Sequence, residues 1–137
     1  MAQLLVATTL IASMTTPALE RPEDGGREVG KHYGPLPTAQ DWDGTGEYWR
    51  PLVIEYWPLE DVEWAMSIMD CESGGDPYAK NPYSSASGLF QQLGRYWDDR
   101  ATQAGWAGAS VFDPEANIAV SAWLYSWGGK AHWECKA

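Results

Sequence analysis

Apolar residues recur at helical spacing in the segment "WPLEDVEWAMSIMD". Val62, Ala65 and Met69 are three or four residues apart and give the segment one apolar face. The proline and acidic residues that precede them suit a helix start, because carboxylates there meet the positive end of the helix dipole. Gly74 and Gly75 favour an end of the helix, since glycine tolerates the left-handed conformation. The pattern therefore predicts one amphipathic helix that ends just before Gly74.

A second helix is predicted from the segment "FDPEANIAVSAWLYSWG". Asp113 suits the N-cap and Pro114 the first helical position, while Gly128 and Gly129 end the segment. Its middle is apolar nearly all round, which is typical of a buried helix. A weaker pattern predicts another helix over residues 96–104, and residues 76–92 are predicted to be a long loop with or without a short hairpin. The predicted fold class is mainly α.

Three segments differ in composition along the 137 residues. Residues 1–19 are apolar and end in small residues, so they are predicted to be either a cleaved export signal or an apolar N-terminal arm. They are too short for a comfortable membrane span, which takes about 20 apolar residues. Residues 20–47 are rich in Gly, Pro and charge and are predicted to be a linker or loosely packed arm. The folded domain is assigned to residues 48–137.

The net charge of −10 narrows the range of partners. Nucleic-acid affinity depends largely on Lys and Arg that neutralise phosphates, and the chain has only nine of them. We therefore expect no nucleic-acid partner, and the shortness of the apolar segment 1–19 predicts no stable membrane span. The two cysteines are either bridged or free and buried. A bridge from Cys71 to Cys135 would close a loop of about 65 residues and contribute on the order of 4 kcal/mol. No metal or other cofactor is expected, because neither histidine has metal-site spacing around it.

Glu72 is the candidate catalytic residue. On a helical wheel it lies about 20° from Ala65 and about 40° from Ile68, so it projects from the apolar face. Apolar surroundings raise the pKa of a carboxyl group, which lets a glutamic acid donate a proton near neutral pH. Asp70 points roughly the other way, into solvent. The alternative is that Glu72 is simply the last helical residue, exposed where the apolar face ends.

Three short stretches carry a resemblance to a known family. The "ES" pair at residues 72–73, "SASGLFQ" at 85–91 and "ANIAVSAWLY" at 116–125 occur in the order and rough spacing of soluble lytic transglycosylases and goose-type lysozymes. The "CESGG" and "HWEC" stretches are also similar to actinobacterial resuscitation-promoting factors. The resemblance covers about residues 49–137. It implies an α+β, lysozyme-like domain in which a long loop or short hairpin forms one side of a glycan cleft.

The implied activity is cleavage of the β-1,4 bond between N-acetylmuramic acid and N-acetylglucosamine in peptidoglycan glycan strands. Glu72 would be the single acid and base, assisted by the acetamido group of the substrate. The resemblance also implies that the protein is secreted or acts in the cell wall. Other residues implied to bind substrate or to support Glu72 are Ser73, Ser87, Gly88, Leu89, Gln91, Asn117 and Tyr125.

Ordinary glycosidases need a second carboxylate, within about 5–9.5 Å of the first. The candidates are Asp76, Asp98, Asp99 and Asp113, and each is better explained as a turn residue, a solvated helix face or a helix cap. None of the four forms an evident catalytic pair with Glu72. The sequence therefore favours the single-acid transglycosylase mechanism. The alternatives are a hydrolytic muramidase acting on the same bond, and a non-catalytic wall-binding or virion component that retains the fold, for example in a phage particle.

Overall fold

The structure, a computed structural model, describes residues 34–136. The apolar segment 1–19 and residues 20–33 lie outside the described residues. The described part is mainly helical, which confirms the predicted fold class. Its elements are α1 (Arg50–Tyr56), α2 (Val62–Ser73), β1 (Ala86–Ser87), β2 (Gln92–Leu93), α3 (Gly94–Gln103) and α4 (Pro114–Gly128). Short 3-10 turns precede α1 and α2 and follow α4.

Helix α4 is the buried centre of the fold. The other helices pack against it or against each other, with contacts from α1 and α3 to α4 and from α1 to α2. The Asp113 side chain accepts a hydrogen bond from the Ala116 N–H at 3.0 Å, which caps the first turn. Ile118 and Val120 are fully buried. Both the bounds and the burial of this helix were predicted from its caps and its apolar middle, and both are confirmed.

Helix α1 is the element that the sequence pattern did not predict. It has only seven residues and two β-branched side chains, Val53 and Ile54. Isolated helices of this length are unstable in water, so packing must supply the stability. Leu52 and Val53 are fully buried against the core, as is Trp49 just before the helix. The helix therefore depends on tertiary contacts that a local pattern does not report.

The end of α2 lies against the turn that precedes α1. Gly74 adopts a φ of 64° and donates its N–H to the Asp70 carbonyl, as predicted for a glycine-terminated helix. Gly75 follows at a φ of 76°, and a Cβ added there would lie 2.5 Å from the Cα of Gly46. The Trp49 indole N–H donates to the Gly75 carbonyl at 2.8 Å. The glycine pair therefore ends the helix and allows close backbone contact.

Part of the segment assigned to a linker packs on the helical domain. Ala39 and Trp42 contact the core cluster. The Trp42 indole N–H donates to the Thr45 carbonyl at 2.8 Å, which closes the turn before α1. Residues from at least Ala39 onward therefore contribute to the packing of the domain.

The short antiparallel hairpin predicted as one of two options is present. Ala86 pairs with Leu93, and Ser87 pairs with Gln92. The turn between the strands points inward, and its Phe90 ring stacks on Trp57 with centroids 5.3 Å apart. This inward turn holds the hairpin on the helical core. Within the described residues, none of the helices is both long enough and apolar enough to span a bilayer.

Candidate active site

A cavity of about 320 Å³ lies beside the C-terminal end of α2. One wall comes from the loop before the hairpin and from the hairpin itself. The opposite wall comes from Glu72 and from the segment 132–134 that follows α4. The lining residues are Glu72, Asn81, Tyr83, Ser84, Ala86, Gln91, Leu93, His132, Trp133 and Glu134.

Glu72 is the penultimate residue of α2, where the helix face meets the cavity. Its side chain is half-buried, and its Oε1 accepts a hydrogen bond from the backbone N–H of Cys135 at 3.2 Å. Burial is the main cause that raises the pKa of Glu72, and the negative charge of Glu134 adds to it. The backbone N–H groups of Cys135 and Glu134 and the charge of Lys136 act against this rise, but the pKa stays above its usual value. The carboxyl group is therefore disposed to hold a proton.

A disulfide joins the end of α2 to the C-terminal tail beside Glu72. Cys71 and Cys135 are bonded across 64 positions of sequence, with their Cα atoms 6.1 Å apart. The bridged alternative from the sequence is therefore the one observed. Because Cys71 directly precedes Glu72, the bond fixes the tail next to the carboxyl group. This explains how a backbone N–H from residue 135 reaches Glu72.

The Trp133 and Gln91 side chains hold the walls of the cavity in place. The Trp133 ring is 4 % exposed, and its indole N–H donates to the Phe90 carbonyl at 3.1 Å. Gln91 has a positive φ of 49°, which is uncommon for a residue with a side chain. Its amide donates to the carbonyls of Ala79 and Gly88 at 3.3 and 3.0 Å. These bonds join the tail, the hairpin turn and the preceding loop.

Comparison with known proteins identifies the domain. A family model described as "Transglycosylase SLT domain" matches residues 59–130, which is more than half of the chain. The chain belongs to this family. No curated protein and no solved structure gave a match. The SLT domain has a peptidoglycan-acting function of the lytic transglycosylase type. That function and the disulfide favour a location outside the cytoplasm, because disulfides persist in oxidising compartments.

Two of the expected site residues, Glu72 and Gln91, line the cavity of the SLT domain. Ser73 instead completes the end of α2: its hydroxyl donates to the Met69 carbonyl at 3.0 Å and accepts from the Gly75 N–H at 3.1 Å. Both of these hydrogen bonds are to backbone groups, so the Ser73 hydroxyl is engaged at the helix end.

The hairpin residues expected at the cleft are packed within the domain. Leu89 is fully buried in the core. The Ser87 hydroxyl donates to the Ser85 carbonyl at 3.2 Å. Gly88 has a φ of 77°, and a Cβ there would lie 2.4 Å from the Asn117 amide nitrogen. The three residues hold the hairpin on the core, and the cavity edge comes from their neighbours.

Asn117 supports the hairpin and makes no contact with Glu72. It is fully buried, and its Oδ1 accepts from the Phe90 N–H at 2.9 Å. Its Nδ2 donates to the carbonyls of Val111 at 2.9 Å and of Ser87 at 3.4 Å. The expectation of direct support for the acid is replaced by support for the opposite wall.

Tyr125 lies near the start of α2, away from the end that carries Glu72. Burial and then the neighbouring Asp61 raise the pKa of Tyr125, so its hydroxyl is close to the residue that precedes the helix. Glu72 is eleven residues further along, about 16 Å away at 1.5 Å per residue. The Tyr125 ring packs on Trp57 and Trp64, with centroids 5.0 and 5.4 Å away. Tyr125 is therefore part of the aromatic core.

The tail residues His132 and Glu134 line the cavity, although the sequence analysis did not select them. Burial and then the charge of Arg100 lower the pKa of His132, which favours its neutral form. The cysteine pair contained the missing signal, since a bridge to Cys71 necessarily brings the neighbours of Cys135 close to Glu72. Within residues 34–136, no three His, Cys, Asp or Glu side chains are grouped as a metal site.

Proposed function

We propose that the SLT domain cleaves the β-1,4 bond between N-acetylmuramic acid and N-acetylglucosamine, with Glu72 as the only catalytic acid and base. The observation that carries this proposal is a half-buried carboxyl group with a raised pKa at the wall of an open cavity. A general acid must be protonated before the reaction begins, and burial favours that form of Glu72. Family membership supports peptidoglycan as the substrate class.

In the first step, Glu72 transfers its proton to the glycosidic oxygen as the bond from that oxygen to the anomeric carbon breaks. The acetamido oxygen of the muramic acid residue bonds to the anomeric carbon, so no carboxylate nucleophile is required. The Cys135 N–H donates a hydrogen bond to Oε1 of Glu72 before the reaction. The same N–H then stabilises the carboxylate that forms, because a charged acceptor strengthens the bond.

In the second step, the Glu72 carboxylate removes the proton from the C6 hydroxyl of the muramic acid residue. That oxygen attacks the anomeric carbon, the bond to the acetamido oxygen breaks, and a 1,6-anhydro product forms. Glu72 ends the cycle protonated. Such a reaction requires that the protein be exported to the wall, as a secreted protein or as part of a larger assembly.

Mass spectrometry of digested peptidoglycan tests the proposal. The oxidised protein should release anhydro-muramyl fragments from purified sacculi, and Glu72→Gln should reduce the rate by about 10²–10⁴-fold, the usual contribution of general acid–base catalysis. Tyr125→Phe is the matched control and should retain activity, because its hydroxyl lies near Asp61.

The other outcomes separate the alternatives. Reducing-end muramyl products would identify a hydrolytic muramidase in place of a transglycosylase. Binding to sacculi without any products would identify a non-catalytic wall component. Full activity of Glu72→Gln would contradict the assignment of the acid.

A further inference from the structure

Glu134 is a second carboxylate in the cavity that contains Glu72. Its position is set by both of its neighbours in sequence. Trp133 is buried and bonded through its indole N–H to the Phe90 carbonyl. Cys135 is held by the disulfide and by the bond from its N–H to Glu72. The backbone of Glu134 is therefore anchored on either side, which fixes the point from which its exposed side chain extends beside Glu72.

The other charged groups around Glu72 are few among the described residues. On the tail, Lys136 acts on Glu72 with the opposite sign to Glu134. Its ammonium group donates to the Trp133 carbonyl at 2.9 Å, so it is held by the same segment. His132 also lines the cavity and is disposed to be neutral. Among the described residues, Glu134 is thus the negative charge that acts on Glu72.

We propose that Glu134 is a positioning residue of the site, a second carboxylate on an anchored segment whose charge opposes the ionisation of Glu72 before substrate binds. This inference rests on the proposed function of Glu72. A negative neighbour disfavours a second negative charge, so it opposes early loss of the proton. The charge acts only because the disulfide keeps the tail beside α2.

Carbon-13 NMR titration of the Glu72 side-chain carboxyl carbon tests the inference in the intact, oxidised protein. In Glu134→Gln, the pKa of Glu72 should fall by about 0.3–0.7 pH unit at low ionic strength, the size expected for an exposed charge several ångströms away. Glu134→Asp keeps the charge and should restore most of the pKa. Lys136→Gln removes the opposing charge and should raise the pKa of Glu72, while Lys136→Arg should not.

Salt and activity provide two further readouts. About 0.5 M salt should reduce the difference between wild type and Glu134→Gln, because exposed charges are screened within a few ångströms at that ionic strength. In Glu134→Gln, the alkaline limb of the pH profile of kcat/KM should move to lower pH by the same amount, about 0.3–0.7 pH unit. One pH unit above the wild-type limb, activity should therefore fall by about twofold to fivefold.

The results that would overturn the inference differ from those that would overturn the proposed function. An unchanged Glu72 titration in Glu134→Gln, or an equal fall in Glu134→Asp, would show that the Glu134 charge does not act on the acid. The titration needs no substrate. An inactive wild-type protein with the expected titration shifts would refute the proposed chemistry. The inferred effect of the Glu134 charge on Glu72 would still stand.

Discussion

Replacement of Asn117 by alanine should separate a structural role of this residue from a chemical one. The substitution removes the acceptor of the Phe90 N–H at 2.9 Å and the donor to the Val111 carbonyl at 2.9 Å. It also removes the longer bond to the Ser87 carbonyl at 3.4 Å, which is weak at that distance. The hairpin then loses its polar attachment to α4.

The expected cost follows from the groups left without partners. The Phe90 N–H is buried, and an unsatisfied buried donor costs about 1–3 kcal/mol. The Val111 carbonyl is only partly buried, so its loss adds a smaller amount. We expect the free energy of unfolding to fall by about 3 kcal/mol in total. For a domain of about 100 residues, this lowers Tm by about 12–24 °C.

Thermal unfolding followed by circular dichroism measures the stability, and sacculus digestion well below both Tm values measures the activity. Asn117→Asp is the matched control, because it keeps the acceptor for Phe90 but sets a buried carboxylate oxygen against the Val111 carbonyl, so its Tm should be no higher than that of Asn117→Ala. Activity of Asn117→Ala on the folded protein should stay within about threefold of wild type, since Asn117 has no contact with Glu72. A Tm within about 2 °C of wild type, together with a loss of activity above about 100-fold, would refute the structural role.

Two further predictions concern α2 and the tail. The double variant Cys71→Ser and Cys135→Ser should lower the free energy of unfolding in urea by about 4 kcal/mol, because the bond closes a loop across 64 positions; a loss below about 1 kcal/mol would contradict the loop-closure argument. Burial raises the pKa of Glu72 in the folded state, so the stability from this group is fully present below the unfolded pKa of about 4.3 and is lost as pH rises through the folded pKa. Glu72→Gln should therefore be more stable than wild type at pH 7 in urea unfolding, and a difference that stays constant down to pH 3 would refute the burial argument.

Local chemistry determined the parts of the fold that could be predicted from the sequence. The Asp113 cap and the glycines after α4 gave correct helix bounds, because each acts within one turn. The Gly74 end of α2 was predicted for the same reason. Helix α1 could not be predicted in this way, since its stability comes from the burial of Leu52 and Val53 against distant residues.

The same distinction between local and long-range interactions applies to the candidate site. The placement of Glu72 on an apolar helix face is a local property, and it could be predicted. The position of Tyr125 depends on how α4 packs in the folded domain, and periodicity gives no information about which end of α2 the ring lies near. The approach of Glu134 depends on a disulfide across 64 positions. Treating that bridge as a distance constraint would have revealed the second carboxylate.

The hydrogen bond from Cys135 to Glu72 also determines when the site is completed during folding. It joins residues 63 positions apart, whereas the helices form from contacts three or four residues apart. Closing so long a loop costs more chain entropy than forming a helix turn does. Contacts of this kind therefore form late in folding. The chain can therefore assemble its helical scaffold before the cavity has its second wall. Thiol oxidation, which takes seconds to hours, then becomes a separate maturation step for the site.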